Sequence, residues 1–205
     1  MDTNELRGYF LACLGADYQE EENWASWAWE RRGEELVFYF EGSNGAQDWL
    51  SNLNFHAVPY REMNPVWQCH GGFLKVWKSI HPALEARLNE ELTKGAKTVR
   101  TVGFSHGAAI AVFCHEWIWY HYPQLRNGLE SYAFGCPRVI YGCLPPTLAR
   151  RWERFYVIRN LDDAITHLPP RVMGYCHVGN LVEIGTLGKY SAIDAHRPQS
   201  YLSEL

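Results

Sequence analysis

Nowhere does the sequence place more than two basic residues side by side. Lys plus Arg (19) are outnumbered by Asp plus Glu (23), leaving a formal charge of −4. Such a balance lacks the basic footprint that a phosphate backbone requires, so no nucleic-acid partner is expected. No apolar run approaches the roughly 20 residues of a membrane span. Tyr9 to Ala16 is a short apolar run, but acidic residues precede it and Asp17 ends it. It reads as part of a first helix and not as a leader. Without a leader, the expected location is cytoplasmic, with reduced thiols. The cysteines, Cys13, Cys69, Cys114, Cys136, Cys143 and Cys176, contain no C-x-x-C pair and no zinc-type spacing. Their even number would also permit disulfides. No metal and no cofactor is expected. Internal repeats, low-complexity segments and linkers are missing too. Almost half of the chain is apolar and a fifth is charged, so residues 1–205 read as one globular domain.

What is present is an alternation of strand and helix patterns. Asn4 to Glu22 reads as an amphipathic helix. Trp24 to Arg31 and Leu36 to Phe40 read as a hairpin turning at Arg32-Gly33-Glu34. Gly42-Ser43, followed by Asn44-Gly45, reads as a simple turn or as a loop whose backbone amides are available to a ligand. Asp48 to Leu53 reads as one or two turns of helix over a cleft, Phe55 to Tyr60 as a strand, and Arg61 to Gln68 as a loop. After His70-Gly71-Gly72, Phe73, Val76, Trp77, Ile80, Leu84, Leu88 and Leu92 recur at helical spacing. Pro82 predicts a kink, or two helices in succession. Val99 to Phe104 reads as a strand and Gly107 to Tyr120 as a helix. Further strands are expected at Leu129–Gly135 and Arg154–Asn160, a strand or hairpin arm at Tyr175–Ile184, and a short helix at Pro145–Arg151. Leu161–Pro170 reads as a polar loop, and Ser191–Leu205 as a loop with a turn of helix. Such alternation predicts an α/β class, a mostly parallel sheet with helices on both faces. Functional residues then gather at the carboxyl ends of strands, where Ser43, Ser105 and Asp163 fall.

Gly103-Phe104-Ser105-His106-Gly107 is a G-x-S-x-G pattern at a strand-to-helix junction. There the chain turns sharply and holds the serine hydroxyl above the sheet edge. A serine hydroxyl needs a base to take its proton, and the base is usually a histidine oriented by a carboxylate. Downstream, only Asp162 and Asp163 lie just beyond a predicted strand, in a loop. His177 falls in a predicted strand and His196 in a late loop. The residues alone favour Asp163 or Asp162 with His196 or His177, and do not choose among them.

Six stretches in order resemble a known family, the fungal-type (class 3) lipases, whose members have an α/β-hydrolase fold. They are Phe40-Glu41-Gly42-Ser43 with Asp48-Trp49, His70-Gly71-Gly72-Phe73, the Gly103–Gly107 elbow, Ala133 to Val139, Asp163 to Pro170, and Asp194-Ala195-His196 with Tyr201-Leu202. The resemblance implies a serine ester hydrolase with Ser105 as nucleophile, Asp163 as orienting acid and His196 as base. It implies an oxyanion hole from Ser43 and the backbone N–H of His106, and an acyl entrance lined by Trp49, Leu50 and Leu53. Its implied partners are a small-molecule or lipid ester and, transiently, a lipid interface. Departures are Phe104 and His106 where the family usually has His and Leu, Glu41 where an Arg is common, and Ala195 within the last stretch. Rival readings are a thioesterase, acyltransferase or peptidase on the same three residues, an esterase aimed at membranes, or a silent protein that binds an acyl ligand or partner.

Overall fold

The computed structural model describes residues 2–21, 25–42 and 55–205. Among the described residues the main sheet holds seven strands. They are β1 (Gln19–Glu21), β2 (Ala25–Arg32), β3 (Glu35–Phe40), β6 (Thr98–Phe104), β7 (Leu129–Phe134), β9 (Phe155–Asn160) and β11 (Asn180–Ile184), in spatial order β1-β2-β3-β6-β7-β9-β11. From β3 to β11 every neighbouring pair is parallel, while β1 and β2 add an antiparallel margin.

The five-residue apolar run Leu36-Val37-Phe38-Tyr39-Phe40 shows why these strands read as continuous hydrophobic segments. Leu36, Phe38 and Phe40 belong to one core cluster and Val37 and Tyr39 to the other. Successive side chains point to opposite faces, and both faces are covered. One face carries α2 (Gly71–Thr93) and α3 (His106–His121); the other carries α1 (Thr3–Leu14) and α5 (Pro198–Glu204). α3 is buried continuously from Gly107 to Ile118, because it lies between the sheet and α2. Its small residues Ala108, Ala109 and Ala111 let the backbones approach. This is the mostly parallel sheet with helices on both faces that the alternation of elements predicts.

Four expectations change. The first helix ends at Leu14, not Glu22: Gly15 caps it, donating its N–H to the Leu11 carbonyl (3.1 Å). The chain then turns and adds β1 against β2. Of the two expectations at Pro82, two helices in succession is not met, since one helix runs from Gly71 to Thr93. Pro82 lies on its exposed side, where water can satisfy the carbonyl that loses its partner. The expected loop over Arg61 to Gln68 runs into β5 (Trp67–His70). This strand pairs with β4 (Ala57–Tyr60) and with β8 (Ile140–Tyr141), which in turn pairs with β10 (Tyr175–Cys176). The expected arm Tyr175–Ile184 is therefore two strands in two sheets. They part at Gly179 (φ +74), where a Cβ would sit 2.2 Å from the Phe155 carbonyl oxygen. The expected short helix over Asp48 to Leu53 lies outside the described residues.

An ion pair is buried behind the sheet. Arg151, after the short helix α4 (Pro146–Ala149), donates to Glu116 of α3 at 2.5 Å and to the Asn64 carbonyl at 2.6 Å. The Trp67 indole N–H joins Arg151 in favouring the ionised Glu116 carboxyl. Burial pushes this carboxyl up from 4.5 to about 7, against the pull of Arg151. A carboxyl with a raised folded value contributes its stability fully below pH 4.5 and loses it as pH rises through about 7. Glu116→Gln removes the titration and keeps an acceptor for Arg151. Between about pH 5 and 8, urea midpoints should show the wild type losing roughly 2–3 kcal/mol relative to this variant. Parallel midpoints at every pH would contradict the assignment.

Candidate active site

β6 ends at Phe104 and α3 begins at His106. The single residue between them, Ser105, has φ 55 and ψ −119. Among the described residues it is the one non-glycine residue with positive φ. Such a backbone costs on the order of 1–3 kcal/mol and persists only where its surroundings hold it. Here the Ser105 N–H donates to the Phe134 carbonyl of β7 (2.9 Å), and the Ser105 carbonyl accepts from Ala108 (3.1 Å). Glycine is required on both sides. A Cβ on Gly103 would lie 2.4 Å from the Gly107 oxygen, and one on Gly107 would lie 2.1 Å from the Phe40 oxygen. Gly42 meets the same crossing, with the Phe104 ring 2.9 Å from its would-be Cβ.

Three sequence-predicted residues stand in one hydrogen-bonded row. The Ser105 hydroxyl lies 2.7 Å from His196 Nε2, and His196 Nδ1 lies 2.7 Å from Asp163 Oδ2. An ionised carboxylate only accepts, so the proton between His196 and Asp163 belongs to Nδ1. Nε2 is then the acceptor facing the serine hydroxyl. All three side chains are buried, with exposures of 1%, 7% and 0% for Ser105, His196 and Asp163.

Each member of the row arrives by its own route. Asp163 follows the end of β9, where its N–H donates to the Asn160 carbonyl (3.0 Å). Its Oδ1 accepts from the Ile165 N–H at 2.9 Å. His196 closes a short 3-10 turn, Asp194–His196. The His196 ring stacks on Phe104 (5.1 Å between centroids, 21° between planes). Gly135 (φ +59) gives both side chains room: a Cβ there would lie 3.0 Å from His196 Cε1 and 3.2 Å from Asp163 Oδ2.

Asp162 and His177 stay out of the row. The Asp162 carboxylate accepts from the N–H groups of Gly188 (2.8 Å) and Tyr190 (3.0 Å), which hold it below its usual range. His177 Nε2 lies 2.8 Å from the Thr166 carbonyl, and burial pushes its imidazole down to about 4. Ser43, Trp49, Leu50 and Leu53 lie outside the described residues. His106 occupies the first turn of α3, with its ring 5.5 Å from Phe73. Burial, assisted by His70, pushes its imidazole down to about 4, so the ring beside Ser105 is uncharged at neutral pH. Among the described residues no group of three His, Cys, Asp or Glu side chains is arranged to hold a metal ion.

Residues 37–173 match the family described as Lipase (class 3). The chain belongs to that family. The matched region includes Ser105 and Asp163 and stops before His196. A secreted mono- and diacylglycerol lipase of Fusarium solani is 28% identical over 149 residues, covering 70% of this chain and 42% of that protein. A lipase of Rhizomucor miehei is 26% identical over 150 residues, covering 70% and 40%. The chain thus spans less than half the length of these relatives. Among solved structures, the triacylglyceride lipase of Rhizomucor miehei superposes with a TM-score of 0.77 at 20% identity, covering 90% of this chain and 82% of that one. Lipase II of Rhizopus niveus gives 0.75 at 19% identity, covering 90% and 81%. These likenesses show the α/β-hydrolase fold. The expected cytoplasmic location is corrected here: the Fusarium solani relative is a secreted protein, and a short apolar N-terminal run carries no address against that.

Sequence reading missed the part played by Tyr201. Its hydroxyl donates to Asp163 Oδ2 (2.6 Å), the oxygen that faces His196, and accepts from the Asn160 N–H (3.2 Å). Burial, with Asp163 beside it, pushes the phenol well up, so it remains a donor. Tyr201 is visible in the sequence only as a tyrosine behind the last stretch of the resemblance. Phe104 was legible as a departure from the family pattern, but not as the surface under His196. We assign Tyr201 as a positioning residue. Tyr201→Phe should lower kcat on ester substrates by on the order of tenfold with KM unchanged, as expected for one lost hydrogen bond to a charged group. Equal kcat in the two proteins would remove Tyr201 from that role.

Proposed function

We propose that the protein is a serine-dependent carboxylic ester hydrolase of the lipase type, acting on acylglycerol-like or other acyl esters. The observation that carries this reading is the Ser105–His196–Asp163 row, set on a strained strand-to-helix turn in a chain of the class 3 lipase family. The mono- and diacylglycerol lipase relative supports partial glycerides as first candidates.

In this mechanism the Ser105 oxygen attacks the ester carbonyl carbon as His196 Nε2 takes the hydroxyl proton. Asp163 keeps Nδ1 protonated and stabilises the imidazolium that forms. The carbonyl oxygen, now negative, is held by the His106 N–H at the positive end of α3 and by the N–H and hydroxyl of Ser43. Removing one such donor costs on the order of 3 kcal/mol in the transition state. The carbon–oxygen bond to the alcohol then breaks, and the alcohol leaves with the proton from His196. An acyl group remains on Ser105. Water gives a proton to His196, attacks the acyl carbon, and the acid departs as Ser105 recovers its proton. The steps use no metal or cofactor. In the same proposal Trp49, Leu50 and Leu53 line the acyl entrance, a lipid interface is met transiently, and residues 1–205 act as one domain. The resemblance to a secreted relative supports export of this chain.

Hydrolysis of p-nitrophenyl esters of increasing acyl length tests the reading. The purified protein should turn over part of the series, and Ser105→Ala should lose on the order of 1,000-fold or more of that activity. Equal rates in wild type and a folded Ser105→Ala variant would overturn the proposal.

A further inference from the structure

The six cysteines fall into two groups. Cys13, Cys69, Cys114 and Cys136 are buried. Burial pushes the thiols of Cys13 and Cys69 up to about 12 and raises those of Cys114 and Cys136. These four act as small apolar side chains and are closed to solution oxidants. Cys143 is exposed and Cys176 is half-buried.

The small sheet brings those two together from distant points in the chain. β8 and β10 pair with Cys176 opposite Ile140 and Tyr175 opposite Tyr141. The ladder continues one step, as the Gly142 N–H donates to the Gly174 carbonyl (2.8 Å). Gly142 then takes φ +86 and turns the chain. The Cys176 thiol reaches the Gly142 carbonyl oxygen at 3.3 Å. Cys143 is the residue acylated by that carbonyl, which sets its Cα roughly 3 Å from the same oxygen. The sulfur of Cys176 therefore lies within roughly 6 Å of the Cys143 Cα; both thiols are free, and rotation of the two side chains with a small movement of the exposed turn would bring the sulfurs to bonding distance. Cys143 also acts electrostatically on Cys176, raising its thiol after burial does, while Arg171 and Arg138 favour the thiolate.

We infer that Cys143 and Cys176 form an intramolecular disulfide in an oxidising compartment, linking the turn after β8 to β10. With a small-molecule disulfide such as oxidised glutathione, the exposed Cys143 thiolate attacks one sulfur and releases one glutathione thiolate. The Cys176 thiolate then attacks the Cys143 sulfur, forms the protein disulfide and releases the second glutathione thiolate. Two electrons pass to the oxidant, and the two cysteine protons leave with the released thiols. Closing a loop of about 34 residues constrains the unfolded chain and should raise Tm by on the order of 10 °C.

The test uses the whole chain, reduced and then oxidised with glutathione disulfide, alkylated and mapped by peptide mass. The expected product is a cross-linked pair of peptides containing Cys143 and Cys176, lighter by two hydrogens, and a Tm rise of on the order of 10 °C. Cys143→Ser and Cys176→Ser should each abolish both the cross-link and the rise. Alkylation of both cysteines after oxidation, stable glutathione adducts on either one, or disulfide-linked dimers in place of the internal bond would overturn the inference.

Discussion

A Cβ on Gly107 would sit 2.1 Å from the Phe40 carbonyl oxygen, because the first turn of α3 crosses directly over the end of β3. That crossing governs the rest of the molecule. It forces the chain to leave β6 through one residue with positive φ, and that residue is Ser105. The Ser105 N–H is anchored to β7, so the hydroxyl is held above the sheet and the strain is maintained by two neighbouring strands. The continuous burial of α3 follows from the same approach, since only small residues let a helix lie so close to a sheet.

Around this turn the fold arranges polarity with care. Asp163 is fully buried, a costly place for a carboxylate. It is held by donors from three directions: the Ile165 amide, the Tyr201 hydroxyl and His196 Nδ1. His196 gains an apolar seat on Phe104. The neighbouring His106 is kept uncharged by burial, so no second cation competes with the imidazolium that the proposed reaction forms. The network draws on segments far apart in the chain: α5 supplies Tyr201, the turn after β9 supplies Asp163, and β6 leads to Ser105.

The legible parts of the sequence were those in which a local constraint dictates structure. Leu36 to Phe40 could be read as a strand because its apolar run is short, aromatic-rich and follows a turn at Arg32-Gly33-Glu34. The elbow was legible because two glycines flank the serine where a strand pattern gives way to a helix pattern. The small sheet was not legible. β5 is four residues long, and its partner Ile140-Tyr141 lies some 70 residues away in the chain, so no local periodicity announces the pairing. Asp162 and Asp163 are adjacent and chemically identical. Only the turn at the end of β9 sends one inward and the other to the amides of Gly188 and Tyr190. Tyr201 meets Asp163 because α5 docks beside α1 and β9, a tertiary event with no signature in its own segment. Location was misread for a different reason: the acidic residues around Tyr9 to Ala16 say nothing about where a chain resides.

The most direct test of the Ser105–His196–Asp163 account is covalent labelling by an alkyl phosphonate ester, a probe that reacts only with an activated serine, followed by peptide mass mapping. The account predicts a single phosphonyl adduct, on Ser105, and loss of labelling in His196→Ala. An adduct on another residue, or undiminished labelling of Ser105 in His196→Ala, would contradict it.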